Sequence, residues 1–364
     1  MKNKTRVLQC VTGLSGGGVG SVVMNYYNYL YEDYVFDFVV NKKKNGFFEE
    51  EVYKRGGHIY EVPPMQYGIL THFKCLLSVL KQNKGSILHC NHGEKSLFFL
   101  VFGWLYGYKK RIIHIHSSVR PETKAQRFSR KLFTSLSMIF ATDYLACGEE
   151  SAQWFYGEKS SRAIVLKNAI NLNDYGFNAS TRLRIRNEWK VEDSFVIGSV
   201  GRLSPPKNHS FMLKVFKAFL AFNDKAILVL VGTGELEDVI KQNVVDLGIE
   251  KNVKMLGLCN NVNELLSAFD VFLMPSISEG VPVAAVEALA SGLPVICSDV
   301  VTKEIQAKGR VKYISLNDPV EVWANEIYRT DARKEDLKEE LTKIGYSIQE
   351  QANALSTIYE NRKK

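Results

Sequence analysis

Short β-branched runs alternate with amphipathic, helix-length segments along almost the whole chain, a rhythm that admits few folds. In the first half the runs are RVLQCV (6–11), DFVV (37–40), HIYEV (58–62), SILHC (86–90), RIIHI (111–115), DYLAC (143–147) and AIVLK (163–167). Segments such as SVVMNYYNYLY and HFKCLLSVLKQ lie between them. Strands joined by helical crossovers make a parallel sheet with helices on both faces. Residues 168–193, Asn-rich and polar, break the rhythm and predict a linker followed by one surface helix. The alternation restarts with FVIGSV (195–200), AILVLV (226–231), NVKML (252–256), VFLMP (271–275), PVICS (294–298) and VKYIS (311–315). The chain thus reads as α/β, with Rossmann-like domains over 1–172 and 173–345 facing each other across a cleft. Residues 346–364 have helical character with no strand after them, and are expected to pack back on the N-terminal domain. In open α/β sheets ligands bind beyond the carboxyl ends of the strands, so candidates are sought there.

Composition agrees with a globular two-domain chain: 364 residues, 46% apolar and 24% charged. The six cysteines are scattered, with no Cys-x-x-Cys pair and no neighbouring histidine cluster, which argues against a zinc site or disulfide framework and for a cytoplasmic location. The first apolar run ends at Gly13, too early for a signal peptide. The run from Leu97 to Tyr108 falls short of the roughly 20 residues needed to span a bilayer. It reads as a buried helix, with a shallow membrane contact as the alternative. Charge is uneven: residues 1–172 carry 23 basic against 13 acidic side chains, and the remainder 24 against 26. Either the excess is a solvated surface, or the N-terminal half faces an anionic partner, a phospholipid surface or a phosphorylated substrate. No nucleic-acid-binding motif surrounds the basic residues.

Two stretches carry candidate chemistry. SISEGVPVAAVEALASGLPVICSD (276–299) sets Glu279 and Glu287 in apolar surroundings, where carboxylates are costly unless something polar meets them. Pro282 is expected to open a helix, with the amides of Gly280, Val281 and Val283 directed at an anion. Glu279 then sits at a strand end and Glu287 over a turn into the helix, where a carboxylate can hold a vicinal diol. GSVGRLSPPKN (198–208) follows a buried strand; Gly201 lets the backbone approach a ligand, and Arg202 and Lys207 can grip a diphosphate.

GRLSPPKN, LVGTGE and PSISEGVPVAAVEALASGLPVICSD, in this order and spacing, resemble the C-terminal domain of family 4 retaining glycosyltransferases of the GT-B fold. Glu279 and Glu287 match that family's E-x7-E motif. VTGLSGGGVGSVVMNYYNYL and RIIHIHSS resemble the acceptor-side domain of bacterial capsular and exopolysaccharide transferases. The resemblance implies that Arg202 and Lys207 bind the donor diphosphate and stabilise the leaving nucleotide, and that Glu287 holds the ribose. It implies that Glu279, with Gly280 and Val281, contacts the donor sugar and distal phosphate, and that backbone near Leu256 and Gly257 lines the base pocket. His116 would touch the donor sugar from the N-terminal side, and Gly17 and Gly18 would approach the phosphates. The chain departs from the family at Asn168-Ala169-Ile170-Asn171, where Gly and Asp are usual, and at the Pro-Pro before Lys207.

His114 and His116 are both candidates for the catalytic histidine, His116 being nearer the strand end; a core role is the alternative for either. A dinucleotide fingerprint fails, because the third glycine position falls on Ser21 or Val23 and the second strand ends without an acid. Lys124, Arg127 and Lys131, with Arg120, share helical spacing as a solvated face or a membrane-surface contact. Glu149 and Glu150 fit helix-start acids or cleft residues, and His89, His92 and Glu94 cluster at a strand end on the possible acceptor side. No Asp-x-Asp motif is present, so no metal and no other cofactor is expected. The expected activity is transfer of a sugar, with retention, from a nucleotide-diphosphate donor, taken as a UDP-sugar. The acceptor would be a polyprenyl-diphosphate-linked saccharide at the inner membrane face. A nucleotide-sugar epimerase and a non-catalytic nucleotide-sugar binder are the alternatives.

Overall fold

A computed structural model describes residues 4–14, 18–41, 47–116, 123–332 and 334–361. The chain forms two compact units, Met1–Ala169 with Ile348–Lys364, and Ile170–Ser347.

The first unit holds a seven-stranded parallel sheet: β1 (Thr5–Cys10), β2 (Tyr34–Val40), β3 (Ile59–Glu61), β4 (Ile87–Cys90), β5 (Arg111–Ile115), β6 (Asp143–Ala146) and β7 (Ile164–Val165), in the order β3-β2-β1-β4-β5-β6-β7. Val7 lies opposite both Phe36 and Ile87, so β1 is central. Central strands buried on both faces need continuous apolar runs, which YVFDFVV and ILHC supply. The one acid in β2, Asp37, is fully buried but satisfied: Arg6 Nε donates to it at 2.7 Å and the His58 amide at 2.9 Å. The Leu97–Tyr108 run forms the helix Ser96–Leu105, whose Gly103 presses on β4; a Cβ there would stand 2.5 Å from Leu88 Cδ2. The terminal helix Ile348–Glu360 packs against the helix Val19–Leu30 within this unit.

The second unit holds six parallel strands: β8 (Val196–Val200), β9 (Ile227–Val231), β10 (Val253–Gly257), β11 (Val271–Met274), β12 (Val295–Ser298) and β13 (Val311–Ile314), ordered β10-β9-β8-β11-β12-β13. Ile197 faces Leu228 and Val271. Gly198 admits the Phe269 ring, which a Cβ would meet at 1.9 Å. Strand order reverses between β1 and β4 in the first sheet and between β8 and β11 in the second. At such switch points the connections leave in opposite directions and open a crevice.

The stretch expected to be a linker and a surface helix is more firmly tied. It holds a 3-10 turn at Leu172–Tyr175 and the helix Ala179–Trp189, whose Arg182 and Arg186 both pair with Asp270, at 2.5 and 3.1 Å. Arg186 is buried, because Asp270 also accepts the Val196 amide and gathers these groups beneath the sheet.

Candidate functional site

The carboxyl ends of β8 and β11 bring the two sequence-defined stretches together. After β8, Gly201 takes φ +158° and its amide donates to Val231 O. The chain turns through the 3-10 segment Pro205–Lys207 into Asn208, which is left-handed and starts the helix His209–Phe219. The Ile277 amide donates to Pro206 O at 2.8 Å, tying this loop to the one after β11. Lys207 Nζ donates to Glu279 Oε1 at 2.5 Å, and Ser276 Oγ donates to the same oxygen at 2.7 Å. Ser276 is set in turn by Ser298 Oγ, which donates to its carbonyl. The Pro-Pro of this loop thus leaves Lys207 at the switch point. His209, packed behind it, is pushed down to about 4 by burial and by the Lys207 charge.

Arg202 lies on the same loop but is not part of that pair. Its side chain is mostly exposed and meets Glu235 at 3.0 Å. Glu235 follows β9 in GTGE, where Gly232 and Gly234 pack so closely that a Cβ would stand 2.0 Å from Gly201 O and 2.2 Å from Leu203 O. The glycines therefore clamp the two loops together. Gly257, at φ +69°, ends β10 and accepts the Gly232 amide at 2.7 Å. Leu256 and Gly257 thus join the row of strand ends that carries Gly201, Arg202 and Lys207.

Glu287 lies in the helix Val283–Ala290 and accepts from Tyr175 Oη at 2.8 Å. Burial raises its pKa and the tyrosine hydrogen bond opposes the rise. The sequence does not single out Tyr175, which is one of three aromatics, with Phe177 and Trp189, in residues 168–193. Pro282 precedes the helix as its cap instead of forming its first residue, and Val281 is buried. Gly280 lies on the connecting bend.

In the first unit the histidines form a polar chain across the switch point. Gln9 Nε2 donates to Tyr359 Oη at 3.0 Å, and that hydroxyl lies 2.8 Å from His89 Nδ1. His89 Nε2 lies 3.2 Å from His114 Nδ1, and the His114 and His116 rings are 4.0 Å apart. His116 Nε2 lies 2.9 Å from Asn91 Oδ1, and Nδ1 lies 3.0 Å from Asn168 Oδ1. Asn168 favours the charged ring and burial disfavours it; burial wins and pushes His116 down to about 4, with His89 down to about 3 and His114 also lowered. His116 is held at the strand end by these two amides, while His114 is buried against His89. Gly18, at φ +66° and ψ −148°, caps the helix Val19–Leu30, a conformation that glycine permits. Gly17 lies outside the described residues. His92 packs on Phe99, 5.4 Å between ring centroids, and Glu149 and Glu150 occupy a helix's exposed first turn. Among the described residues, no group of three or more His, Cys, Asp or Glu is placed to hold a metal ion.

Two parallel α/β sheets ordered in this way are the architecture of the GT-B fold. Residues 181–327 match the family Glycosyl transferases group 1. A putative glycosyltransferase of Bacillus subtilis (strain 168), EpsF, is 32% identical over 98% of this chain and 97% of its own. The chain belongs to the group 1 glycosyltransferases. An Escherichia coli UDP-Gal:alpha-D-GlcNAc-diphosphoundecaprenol alpha-1,3-galactosyltransferase is 28% identical over 62% of this chain and 60% of its own. Among solved structures, Anabaena HepE in complex with UDP and glucose superposes with a TM-score of 0.77 at 19% identity, covering 98% of this chain and 97% of that one.

Proposed function

We propose that this glycosyltransferase moves a hexose-type sugar from a UDP-sugar to a hydroxyl of a polyprenyl-diphosphate-linked saccharide, with retained anomeric configuration, in capsular or extracellular polysaccharide assembly. The observation that carries this reading is the Lys207–Glu279 pair at the β8/β11 switch point. A pyrophosphate entering there competes with Glu279 for Lys207. Lys207 then neutralises charge building on the departing diphosphate, with Arg202 from the same loop as the second cation. Glu279, released, accepts hydroxyls of the sugar, with Gly280 and Val281 beside it. Glu287, held by Tyr175, accepts the ribose hydroxyls, and backbone at Leu256 and Gly257 lines the base.

In this scheme the acceptor oxygen attacks from the leaving-group face: the new C–O bond forms as the anomeric C–O bond to phosphate breaks, and the acceptor proton passes to the departing phosphate oxygen. His116, whose two ring nitrogens both face asparagine amides, is assigned no proton transfer in this scheme. Two side-chain cations supply the charge a divalent ion would otherwise provide, so the reaction is taken as metal-independent. The E. coli relative, by its name, uses UDP-galactose and a diphosphoundecaprenol-linked sugar, which supports both substrate classes here.

The test is incubation of the full chain with a panel of nucleoside diphosphate sugars and short-chain polyprenyl-diphosphate saccharides, with EDTA, followed by NMR of the product's anomeric coupling. Transfer from a UDP-sugar with an axial donor linkage kept axial is expected. An inverted product, or a strict requirement for divalent metal, contradicts the scheme. Epimerised donor without acceptor would point to an epimerase instead.

A further inference from the structure

The helix Lys124–Phe140 is inside out. Its buried residues are Arg130, Thr134, Ser137 and Met138, three of them polar, and the Thr134 and Ser137 hydroxyls have no hydrogen-bond partner. Phe128, Leu132, Leu136 and Ile139 instead face outward, 70, 46, 37 and 70% exposed. At 3.6 residues per turn these four fall within about 80° of one another. A helix serving only a core has the opposite arrangement. Trp104 and Leu105 enlarge the patch: both are more than half exposed, and the Trp104 ring lies 5.6 Å from that of Phe140. Lys124, Arg127 and Lys131, all exposed, run along one edge of the stripe. Residues 124–140 contain no acid.

We infer that this face docks on an anionic lipid bilayer. An apolar stripe edged by cations lies in the interface plane, with the rings and branched chains at the acyl boundary and the ammonium and guanidinium groups among the phosphates. No helix among the described residues is long and apolar enough to cross a membrane, so the contact is peripheral. A second copy of the chain is a poor occupant: the stripe's edge carries three cations and residues 124–140 no acid, so the same face on another copy offers them no counter-charge. The surface uses none of the residues assigned to the donor, and the inference goes beyond the proposed reaction and does not rest on it.

The experiment is co-sedimentation of the full chain with vesicles of phosphatidylcholine alone and of phosphatidylcholine with 30% (about one lipid in three) phosphatidylglycerol. The wild type is expected to sediment with the anionic vesicles and not with the neutral ones. Phe128→Ser/Ile139→Ser and, separately, Lys124→Glu/Lys131→Glu should each weaken that binding at least tenfold. All four positions are exposed, so far-UV circular dichroism and melting temperature should be unchanged. Failure of the wild type to bind, or equal binding by folded variants, overturns the assignment. Wild-type self-association abolished by Phe128→Ser/Ile139→Ser, without vesicle binding, assigns the face to a second copy and also overturns it. So does the absence of both, which leaves an acidic protein partner.

Discussion

Lys207 Nζ lies 2.5 Å from Glu279 Oε1, and the two side chains come from the loops that follow neighbouring strands where the order of the second sheet reverses. The pair is mostly buried, with side chains 22 and 12% exposed, so each charge depends on the other or on a ligand. Lys207→Ala should lower turnover on the order of 10²–10³-fold, as loss of one preorganised charge donor does. It should also cost about 1–3 kcal/mol of stability by leaving Glu279 uncompensated. Steady-state kinetics and urea melts check both. A stable Lys207→Ala enzyme at wild-type turnover contradicts the assignment.

Tyr175 and Glu287 behave differently, because neither is placed at the reacting bond. Tyr175→Phe removes the hydroxyl that opposes the burial-raised pKa of Glu287. The carboxyl should then titrate still higher and hold the ribose less well. The expected result is a KM for donor raised about tenfold with kcat changed less than threefold, the pattern of lost uniform binding. An equal fall in kcat and kcat/KM would assign the pair to the transition state instead.

The buried histidines make the first unit acid-sensitive. His89 is lowered to about 3 and His116 to about 4, with His114 lowered as well, against about 6.5 for an ordinary imidazole. The unfolded chain therefore binds more protons than the folded one below pH 6.5. Stability from these groups is complete above that pH and drains away as the pH falls through about 4 and then 3. His89→Gln should flatten the stability profile between pH 6.5 and 4, measured by urea melts; parallel curves would contradict it.

Lys334 has the same sign in another window. Burial first, then Arg182, with Asp270 partly compensating and Arg186 and Arg310 adding to the fall, pushes it down to about 7 from 10.5. Its Nζ donates to Phe269 O at 2.7 Å. Stability should rise as the pH goes from about 7 to 10.5, because only the unfolded chain keeps this proton there. Lys334→Met should remove that slope and leave the acid limb unchanged.

The thirteen strands among the described residues were legible, most clearly where burial on both faces leaves an unbroken apolar run such as ILVLV at Ile227–Val231; β3, β7 and β10 are only partly buried and were read from their alternation with helical segments. Lys207 and Glu279 were legible too, each lying just beyond such a run. Tyr175, Glu235 and Tyr359 were not. Tyr359 reaches Gln9 across 350 positions, and no local spacing records such a partner. The orientation of Lys124–Phe140 was hidden for another reason. Its polar residues share a helical period as good as that of its apolar ones, and which face turns inward depends on the body beneath.

The most direct measurement is calorimetric titration of UDP into the full chain and into Lys207→Ala. Binding to the wild type, weakened at least tenfold by the substitution, is the predicted result. Equal affinity in the two proteins, or no binding to either, would contradict a nucleoside diphosphate held at the β8/β11 switch point.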